Sequence, residues 1–286
     1  MVQTVVETRF EQDVEWLDTV IRSQESTQVS PLGERLPDFP SEELQRNTTG
    51  LSAEAALRQA HAFCANAHDA LQRAGRPLTA QSQVLDFGFG WGRISRFFMR
   101  DVPLSGIHGI DVDPDFVAIT RDLFGSDQFA VCPPFPPSDY PDGKFDLIYA
   151  YSVFSHLSEH ACHEWMREFH RILKPGGVVA FTTRHESFFD FCEWVSTQKS
   201  DNTYWNALGR LFPDMGEARA RYRRGEIVHA SSPGVGGGGP RDSSFYGETW
   251  IPEQYVRNGF GTGLEFVMGY FDAAKYDQAC FALRKP

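Results

Sequence analysis

Short apolar segments alternate with amphipathic segments through the middle of the chain. The segments QVLDFG, SGIHGIDV, DQFAV, KFDLIYAYSV and GVVAFTTR are apolar or rich in β-branched and aromatic residues, which predicts strands. The segments between them have apolar positions three or four apart, and two have helix start signals: Asp113 before Pro114, and Ser158. Alternation of strands and helices predicts an α/β domain with a doubly wound, mostly parallel sheet.

The pattern differs on both sides of this region. Upstream, apolar stripes predict helices at 4–23 and from Ser52 to about residue 74, so residues 1–75 are expected to form a helical N-terminal lobe. Downstream, LEFVMGYF and DQACFALRK predict an antiparallel hairpin, which brings the expected sheet to seven strands in a domain of residues 76–286. The alternation lapses after Arg184, and residues 185–250 are interpreted as an inserted cap.

The composition of the chain favours one cellular compartment and disfavours some classes of partner. The net charge of −11 disfavours a nucleic-acid partner, because an acidic surface repels a phosphate backbone. The chain has no apolar run long enough to span a membrane, and its first residues lack a secretory pattern. Its 5 cysteines form no CxxC pair, which is typical of reduced thiols and predicts a cytoplasmic protein.

The stretch VLDFGFGWGR has the residues of a ligand-binding loop. Gly88, Gly90 and Gly92 follow a predicted strand in the order GxGxG, which departs from the GxGxxG of dinucleotide enzymes, and no GK[ST] follows. Asp86 precedes the loop, where a carboxylate would repel a pyrophosphate but suit a positive amino group. Asp111 ends the next strand, at a position suited to ribose hydroxyls. The ligand is therefore expected to carry a ribose and a cationic group, without phosphates.

These motifs, in order with FDLIYAYSVFSHL and RILKPGG, resemble those of class I S-adenosylmethionine-dependent methyltransferases of the small-molecule type. The resemblance covers about residues 82–184. It implies a Rossmann-like fold and S-adenosylmethionine as cofactor, with S-adenosylhomocysteine as product. Phe89 departs from the family pattern, in which a small residue is commoner, and is expected to pack under the loop.

The resemblance also assigns cofactor contacts. Asp86 and the three loop glycines would lie along the methionine part and the sugar edge, and Asp111 would hold the ribose. Val112 would pack on adenine, and Cys132 stands where many members have Asp or Asn at adenine's polar edge. Tyr151 and Ser152 would face the methionine amino group. Arg46, in a segment that often folds over the cofactor, is either a contact to its carboxylate or a solvated side chain.

Position in the fold nominates the catalytic groups. His156, His185 and Glu248 are the candidate general bases, since they lie after the fourth and fifth strands or in the cap. The histidines His156, His160 and His163 lack an accompanying HExxH or thiolate pair, so no metal site is predicted. The expected substrate is a small organic molecule such as a sugar, a secondary metabolite or a lipid-like precursor. Three alternatives stay open: a protein methyltransferase, a cofactor-binding subunit without turnover and a nicotinamide oxidoreductase.

Overall fold

A central sheet organises the chain. The computed structural model describes residues 13–235 and 238–286, and in these residues nine strands join one sheet. The strands are β1 (Val84–Phe87), β2 (Ile107–Asp111), β3 (Phe129–Val131), β4 (Phe145–Ala150), β5 (Leu173–Arg184), β6 (Val228–Ala230), β7 (Glu248–Trp250), β8 (Glu265–Tyr270) and β9 (Gln278–Arg284).

The topology confirms the predicted fold class. Strands β3, β2, β1, β4 and β5 lie side by side in parallel. Strand β9 is antiparallel to β5 and pairs with β8, which completes the C-terminal hairpin. These seven strands are the predicted ones, and the sheet is larger by β6 and β7, two strands of 3 residues each inside the predicted cap.

The position of β7 decides the geometry of the site. Pairing of β4 with β5 ends at Ala150 and Phe181, while β5 continues to Arg184. Strand β7 pairs in parallel with β5 only there, through Arg184 and Trp250. The β6–β7 pair therefore lies beyond the carboxyl end of β4, where α/β proteins bind their ligands.

Helices cover both faces of the sheet. They are α1 (13–22), α2 (Glu42–Thr49), α3 (Ala53–Arg73), α4 (Ser95–Phe98), α5 (Pro114–Phe124), α6 (Glu159–Ile172), α7 (Ser187–Ser196), α8 (Thr203–Leu208), α9 (Met215–Arg223) and α10 (Glu253–Val256). Asp113 and Ser158 cap α5 and α6 as predicted, by accepting backbone N–H bonds from Asp115 and Ala161. The part of the predicted first helix before residue 13 lies outside the described residues.

Three hydrophobic clusters fill the molecule. One joins α3 to a face of the sheet, with Leu57 and Phe63 against Leu147. A second, around Ile148 and Trp165, lies on the other face beneath α6, and a third is the core of residues 188–250. Helix α3 thus shares a core with the sheet, while the division at residue 75 stays a prediction. No helix within the described parts of the chain has the length and apolarity that a membrane crossing needs.

Candidate active site

The three loop glycines adopt left-handed backbone angles, with φ of +75°, +55° and +71° at Gly88, Gly90 and Gly92. A Cβ atom at Gly88 would clash with Val153, and one at Gly92 would clash with Phe124. A Cβ at Gly90 would meet nothing within 4 Å, so the middle of the loop faces open space. The first and third glycines permit close packing, and the second leaves room for a ligand.

Residues within the glycine loop and just after it are packed against the core of the protein. Phe89 is buried and packs edge-on against Phe129, with ring centroids 5.1 Å apart, as its sequence position suggested. Helix α4 begins three residues after Gly92, at Ser95, and has only 4 residues, because left-handed Gly92 keeps the residues before Ser95 in turns. The extended turn brings Arg93 inside the protein, where its side chain is buried.

Asp111 is held at the end of β2 by two backbone donors. Its Oδ2 accepts the Gly90 N–H at 3.0 Å and its Oδ1 accepts the Asp113 N–H at 2.9 Å. The carboxylate is thereby attached to the glycine loop itself. Burial raises the pKa of Asp111, and the two backbone bonds oppose that rise.

Val112 and Cys132, the two residues predicted to border adenine, follow β2 and β3. Val112 is partly buried against the core around Ile148, and the Cys132 N–H donates to the Asp111 carbonyl at 2.9 Å. Burial raises the pKa of the Cys132 thiol to about 12, so it is a neutral group at physiological pH. A thiol is a weak hydrogen-bonding group, which makes this position an apolar departure from an Asp or Asn.

Asp86 lies in β1 and is buried beside Tyr149, a member of the core shared with α3. Its Oδ2 accepts the Ser95 hydroxyl at 2.7 Å, and that hydroxyl lies 3.2 Å from the Tyr149 hydroxyl. Burial raises the pKa of Asp86 to about 7 despite these hydrogen bonds. A positive group placed beside it would favour the ionised form.

The end of β4 turns sharply at Ser152, which has φ of +59°. The Ser152 N–H donates to Thr182 Oγ1 at 2.8 Å, and its Oγ accepts the Gln278 amide at 2.8 Å. The Tyr151 ring lies between Phe63 and Tyr276, with centroid distances of 5.2 and 5.9 Å. A serine with left-handed backbone angles raises the free energy of the folded state by about 1 kcal/mol or more, and such backbone strain concentrates at functional sites.

The segment before β7 lies across the residues that follow β4. Gly247 and Thr249 donate backbone N–H bonds to the carbonyls of His156 and Ser155, both at 2.8 Å. Tyr246 stacks on His156 with ring centroids 4.8 Å apart and planes 3° apart. Nδ1 of His156 lies 2.8 Å from the Gly247 carbonyl, so this nitrogen carries the proton of a neutral ring. Nε2 is then the acceptor nitrogen.

Glu248 is fully buried at the start of β7 and is ionised. Arg184 Nε donates to its Oε2 at 2.7 Å, the Tyr204 hydroxyl donates to its Oε1 at 2.8 Å, and His156 Nδ1 lies 3.4 Å from Oε1. Burial alone would raise the pKa of Glu248, but the charge of Arg184 and the hydrogen bonds from Arg184 and His156 Nδ1 outweigh it and lower the pKa to about 2. Glu248 is therefore an orienting anion rather than a proton acceptor.

His185, a candidate general base, and Arg46, a candidate cofactor contact, both bond to residues near them in the sequence. His185 Nδ1 accepts the Ser187 N–H at 3.2 Å, and the ring stacks on Phe271 at 3.5 Å. Burial lowers the pKa of His185, whose acceptor nitrogen is thus already engaged. Arg46 donates to Glu42 and Ser52 at 2.8 Å, and its side chain is 55% exposed. In these contacts Arg46 matches the solvated alternative.

Sequence reasoning missed three polar residues at the site, of which two are buried and Tyr204 is partly buried. Arg184 and Tyr204 hold Glu248, and Arg93 follows the loop directly. Of the three, only Arg93 could be found from the sequence, because it directly follows Gly92. Arg184 and Tyr204 are brought together by the folding of residues 185–250, which no local pattern indicates.

The polar groups fit the cofactor that the motifs imply. Two buried carboxylates, Asp86 and Asp111, flank a loop whose middle glycine faces open space. One carboxylate suits an ammonium and the other suits hydroxyls. A Cβ at Gly90 would enter the space where the ligand is expected. The open glycine loop and its two carboxylates therefore agree with an adenosyl amino acid as the ligand.

Comparison with known proteins leads to the same family. Residues 84–177 match the family model of a methyltransferase domain. The N-terminal Xaa-Pro-Lys N-methyltransferase 1 of Bos taurus is 30% identical over 113 residues, which are 37% of this chain and 49% of that protein. Phosphoethanolamine N-methyltransferase of Plasmodium falciparum is 27% identical over 132 residues, 43% of this chain and 48% of that protein. The chain thus spans about half the length of the curated relatives it matches.

Solved structures agree in fold. A crystal structure of an S-adenosylmethionine-dependent methyltransferase from Clostridium acetobutylicum aligns with a TM-score of 0.50 and 12% identity, over 80% of this chain and 91% of that one. Residues 84–177 thus match a methyltransferase domain, the fold is that of solved S-adenosylmethionine-dependent methyltransferases, and S-adenosylmethionine is the cofactor that this domain and fold imply.

Proposed function

We propose that the protein transfers a methyl group from S-adenosylmethionine to an oxygen or nitrogen of a small organic molecule, such as a sugar, a secondary metabolite or a lipid-like precursor. The observation that carries this proposal is the crossing of Tyr246–Glu248 over the end of β4. It covers the carboxyl edge of the sheet with a stacked ring and a buried ion pair. An edge covered in this way suits a small, enclosed substrate.

The cofactor contacts follow the geometry of the loop. Asp86 lies beside the ammonium group of the cofactor, and Asp111 binds the ribose hydroxyls. The backbone of Gly88, Gly90 and Gly92 lies along the cofactor between them. Val112 and Cys132 border adenine, and Tyr151 and Ser152 border the methionine end. When bound, S-adenosylmethionine supplies an electrophilic methyl group, which an incoming nucleophile must approach in line.

His156 is the proposed general base. The Gly247 carbonyl and Glu248 keep the proton on Nδ1, so Nε2 is free to accept a proton from a substrate hydroxyl. Positioning of the two reactants is expected to supply most of the rate, since effective molarities are worth about 7–11 kcal/mol. His185 is the weaker candidate because the Ser187 N–H engages its Nδ1.

The relatives include enzymes with different acceptors. Their names specify phosphoethanolamine, malonyl-acyl-carrier protein and N-terminal Xaa-Pro-Lys as substrates. The last supports a protein methyltransferase as the second candidate. The covered end of β4 favours the small molecule, because a polypeptide end would need an open groove. A cytoplasmic location is part of the proposal and rests on five cysteines that are all buried and unpaired.

Calorimetric titration with S-adenosylmethionine, S-adenosylhomocysteine and NAD is the first experiment. We expect micromolar binding of both adenosyl compounds, no binding of NAD, and a loss of at least about 10-fold in Asp111→Ala. Radiolabelled methyl transfer into metabolite pools and into peptides then separates the two acceptor classes. Failure of both adenosyl compounds to bind would overturn the proposal, and binding without transfer into either pool would favour the subunit without turnover.

The base assignment has its own test. With a substrate in hand, His156→Gln should lower kcat by about 100-fold or more for a hydroxyl acceptor, while cofactor affinity stays unchanged. His185→Gln is the matched control and should retain turnover. The reverse result would make His185 the base.

A further inference from the structure

The Arg184 guanidinium has hydrogen-bond donors left over at the carboxyl end of β5. Its Nε donates to Glu248 Oε2 at 2.7 Å, and its Nη2 donates to the Tyr204 hydroxyl at 3.2 Å. In the part of the chain that the structure describes, Nη1 donates no hydrogen bond. Asp277 Oδ2 lies 3.8 Å from Nη1, which is beyond hydrogen-bond distance. A guanidinium has five N–H donors, so the two on Nη1 are available to a ligand.

Asp277 is a weak partner for this guanidinium. The Asp277 side chain is 66% exposed, whereas Glu248 is fully buried and the Arg184 side chain is 9% exposed. Water screens an exposed carboxylate, so such a pair contributes little to stability. Nη1 is not one of the solvent-inaccessible polar atoms that lack a partner, so it faces accessible space. Glu248 therefore holds Arg184 in place, and Asp277 can be displaced from Nη1 by a ligand.

Arg184 lies close to the proposed methionine end of the cofactor. It is opposite Gln278 in the register of β5 and β9, and the Gln278 amide donates to Ser152 Oγ at 2.8 Å. Burial raises the pKa of the Tyr151 hydroxyl, and the charges of Asp277 and Arg184 shift that pKa in opposite directions. The two residues proposed to border the methionine end are therefore close to the Arg184 guanidinium.

Arg184 also lies beside the proposed base. Glu248 Oε1 is 3.4 Å from His156 Nδ1, and the other oxygen of Glu248 is bonded to Arg184. The Phe188 ring covers one face of the guanidinium, since the ring centre is 3.9 Å from the guanidinium carbon. Glu248 and Phe188 thus fix the guanidinium in position. A group bound to Nη1 would lie beside both the proposed base and the methionine end.

We propose that the methyl acceptor carries an oxyanion, either a carboxylate or a phosphate, which binds Nη1 of Arg184 in place of Asp277. The inference rests on the proposed function and narrows its substrate class to small molecules with such a group. The oxyanion anchors the acceptor and is not the nucleophile. A planar guanidinium matches the geometry of oxyanions, and a charge-assisted hydrogen bond corresponds to about a 10- to 150-fold gain in affinity.

Inorganic phosphate and acetate are simple probes of this site. The protein is first saturated with S-adenosylhomocysteine, which occupies the cofactor site, and is then titrated with either anion by calorimetry at low ionic strength. Wild type should bind at least one of the two anions, and Asp277→Asn should bind it about 2- to 5-fold more tightly because a competing carboxylate is gone. The anion that binds more tightly indicates which oxyanion the acceptor carries.

The matched control is Asp69→Asn. Asp69 pairs with Arg73 at 2.9 Å on an exposed face of α3, so this variant makes the same change of charge beside another arginine. It should bind the anions as wild type does. Asp277 is preferred to Arg184 as the altered residue, because Arg184 holds the buried Glu248 and its variants are expected to fold poorly.

The acceptor itself gives a second test. Radiolabelled products of methyl transfer into metabolite pools are passed over an anion-exchange resin, which should retain them. Once an acceptor is identified, phosphate or acetate should compete with it and not with S-adenosylmethionine. Asp277→Asn should lower KM for the acceptor by about 2- to 5-fold and leave kcat unchanged, because the oxyanion contributes to binding and not to the chemical step.

The outcomes separate this inference from the proposed function. If S-adenosylhomocysteine does not bind wild type, the proposed function fails, and the inference fails with it. If S-adenosylhomocysteine binds but neither anion does, or if Asp277→Asn behaves like Asp69→Asn, the inference alone is overturned and Arg184 serves only to hold Glu248. Labelled products that pass through the resin would likewise overturn the inference and leave methyl transfer intact.

Discussion

Replacing Glu248 by Gln should destabilise the protein substantially. Glu248 is fully buried, and its two oxygens accept from Arg184 and Tyr204. The neutral amide keeps the size of the side chain but leaves the Arg184 guanidinium buried with only Asp277, 3.8 Å away, as a carboxylate partner. Removing one partner of a buried ion pair typically costs about 3–5 kcal/mol.

The pKa of Glu248 gives a second measure of the same effect. Its value in the folded protein is about 2, against 4.5 for an unperturbed glutamate. The difference corresponds to about 3 kcal/mol of stability. Because the folded pKa is the lower one, this contribution is complete above pH 4.5 and is lost as the pH falls towards 2.

Urea unfolding at pH 7, followed by circular dichroism, measures the free energy of unfolding. Glu248→Gln should lower it by about 3 kcal/mol, and the variant should lack part of the acid-induced loss seen in wild type. Glu54→Gln is the matched control, since Glu54 pairs with Arg58 on an exposed helix face and should cost less than about 1 kcal/mol. A loss in Glu248→Gln as small as that of the control would refute the reasoning.

Three further predictions concern the loop and the buried titratable groups. Gly90→Ala should lower the free energy of unfolding by about 1 kcal/mol and weaken the binding of S-adenosylhomocysteine by at least about 10-fold. Gly92→Ala should lower the free energy of unfolding by more, because its Cβ clashes with Phe124. Equal losses for the two variants in urea unfolding would contradict this prediction. Binding of S-adenosylhomocysteine should tighten as the pH rises through about 7, where Asp86 ionises, and the calorimetric profile of Asp86→Asn should be flat; a wild-type profile as flat as the variant's would exclude Asp86. A thiol reagent at pH 8 should label the 5 buried cysteines slowly in the native protein and all at once in denaturant, and rapid native labelling would contradict their burial and raised pKa values.

The parallel sheet could be predicted because its signals are local. Strand β4 is apolar except for Asp146, and Asp113 and Ser158 cap the helices that follow strands. The glycine loop was predictable for the same reason, since left-handed angles at three alternating positions require glycine. Asp86 lies in β1 and Asp111 ends β2, as the sequence predicts, while their cofactor contacts stay predictions.

The remaining features depend on contacts between distant segments. Strands β6 and β7 have 3 residues each, too few for an alternating pattern, and exist because β5 extends beyond β4. Glu248 looked like a possible base because its sequence gives no sign of Arg184, which lies 64 residues away. For Arg46 the sequence leaves a cofactor contact and a solvated side chain both open, because no local pattern indicates its bonds to Glu42 and Ser52.

The predicted cap and the proposed catalytic site both depend on one difference in strand length. Strand β5 pairs with β4 up to Phe181, and its continuation to Arg184 exposes a free edge above β4. Strand β7 occupies this edge, and the same backbone then brings Gly247 and Glu248 to His156. The ion pair that stabilises the cap therefore also fixes the tautomer of the proposed base. A substitution at Arg184 or Glu248 should for this reason affect folding and turnover together, whereas one at His156 should affect turnover alone.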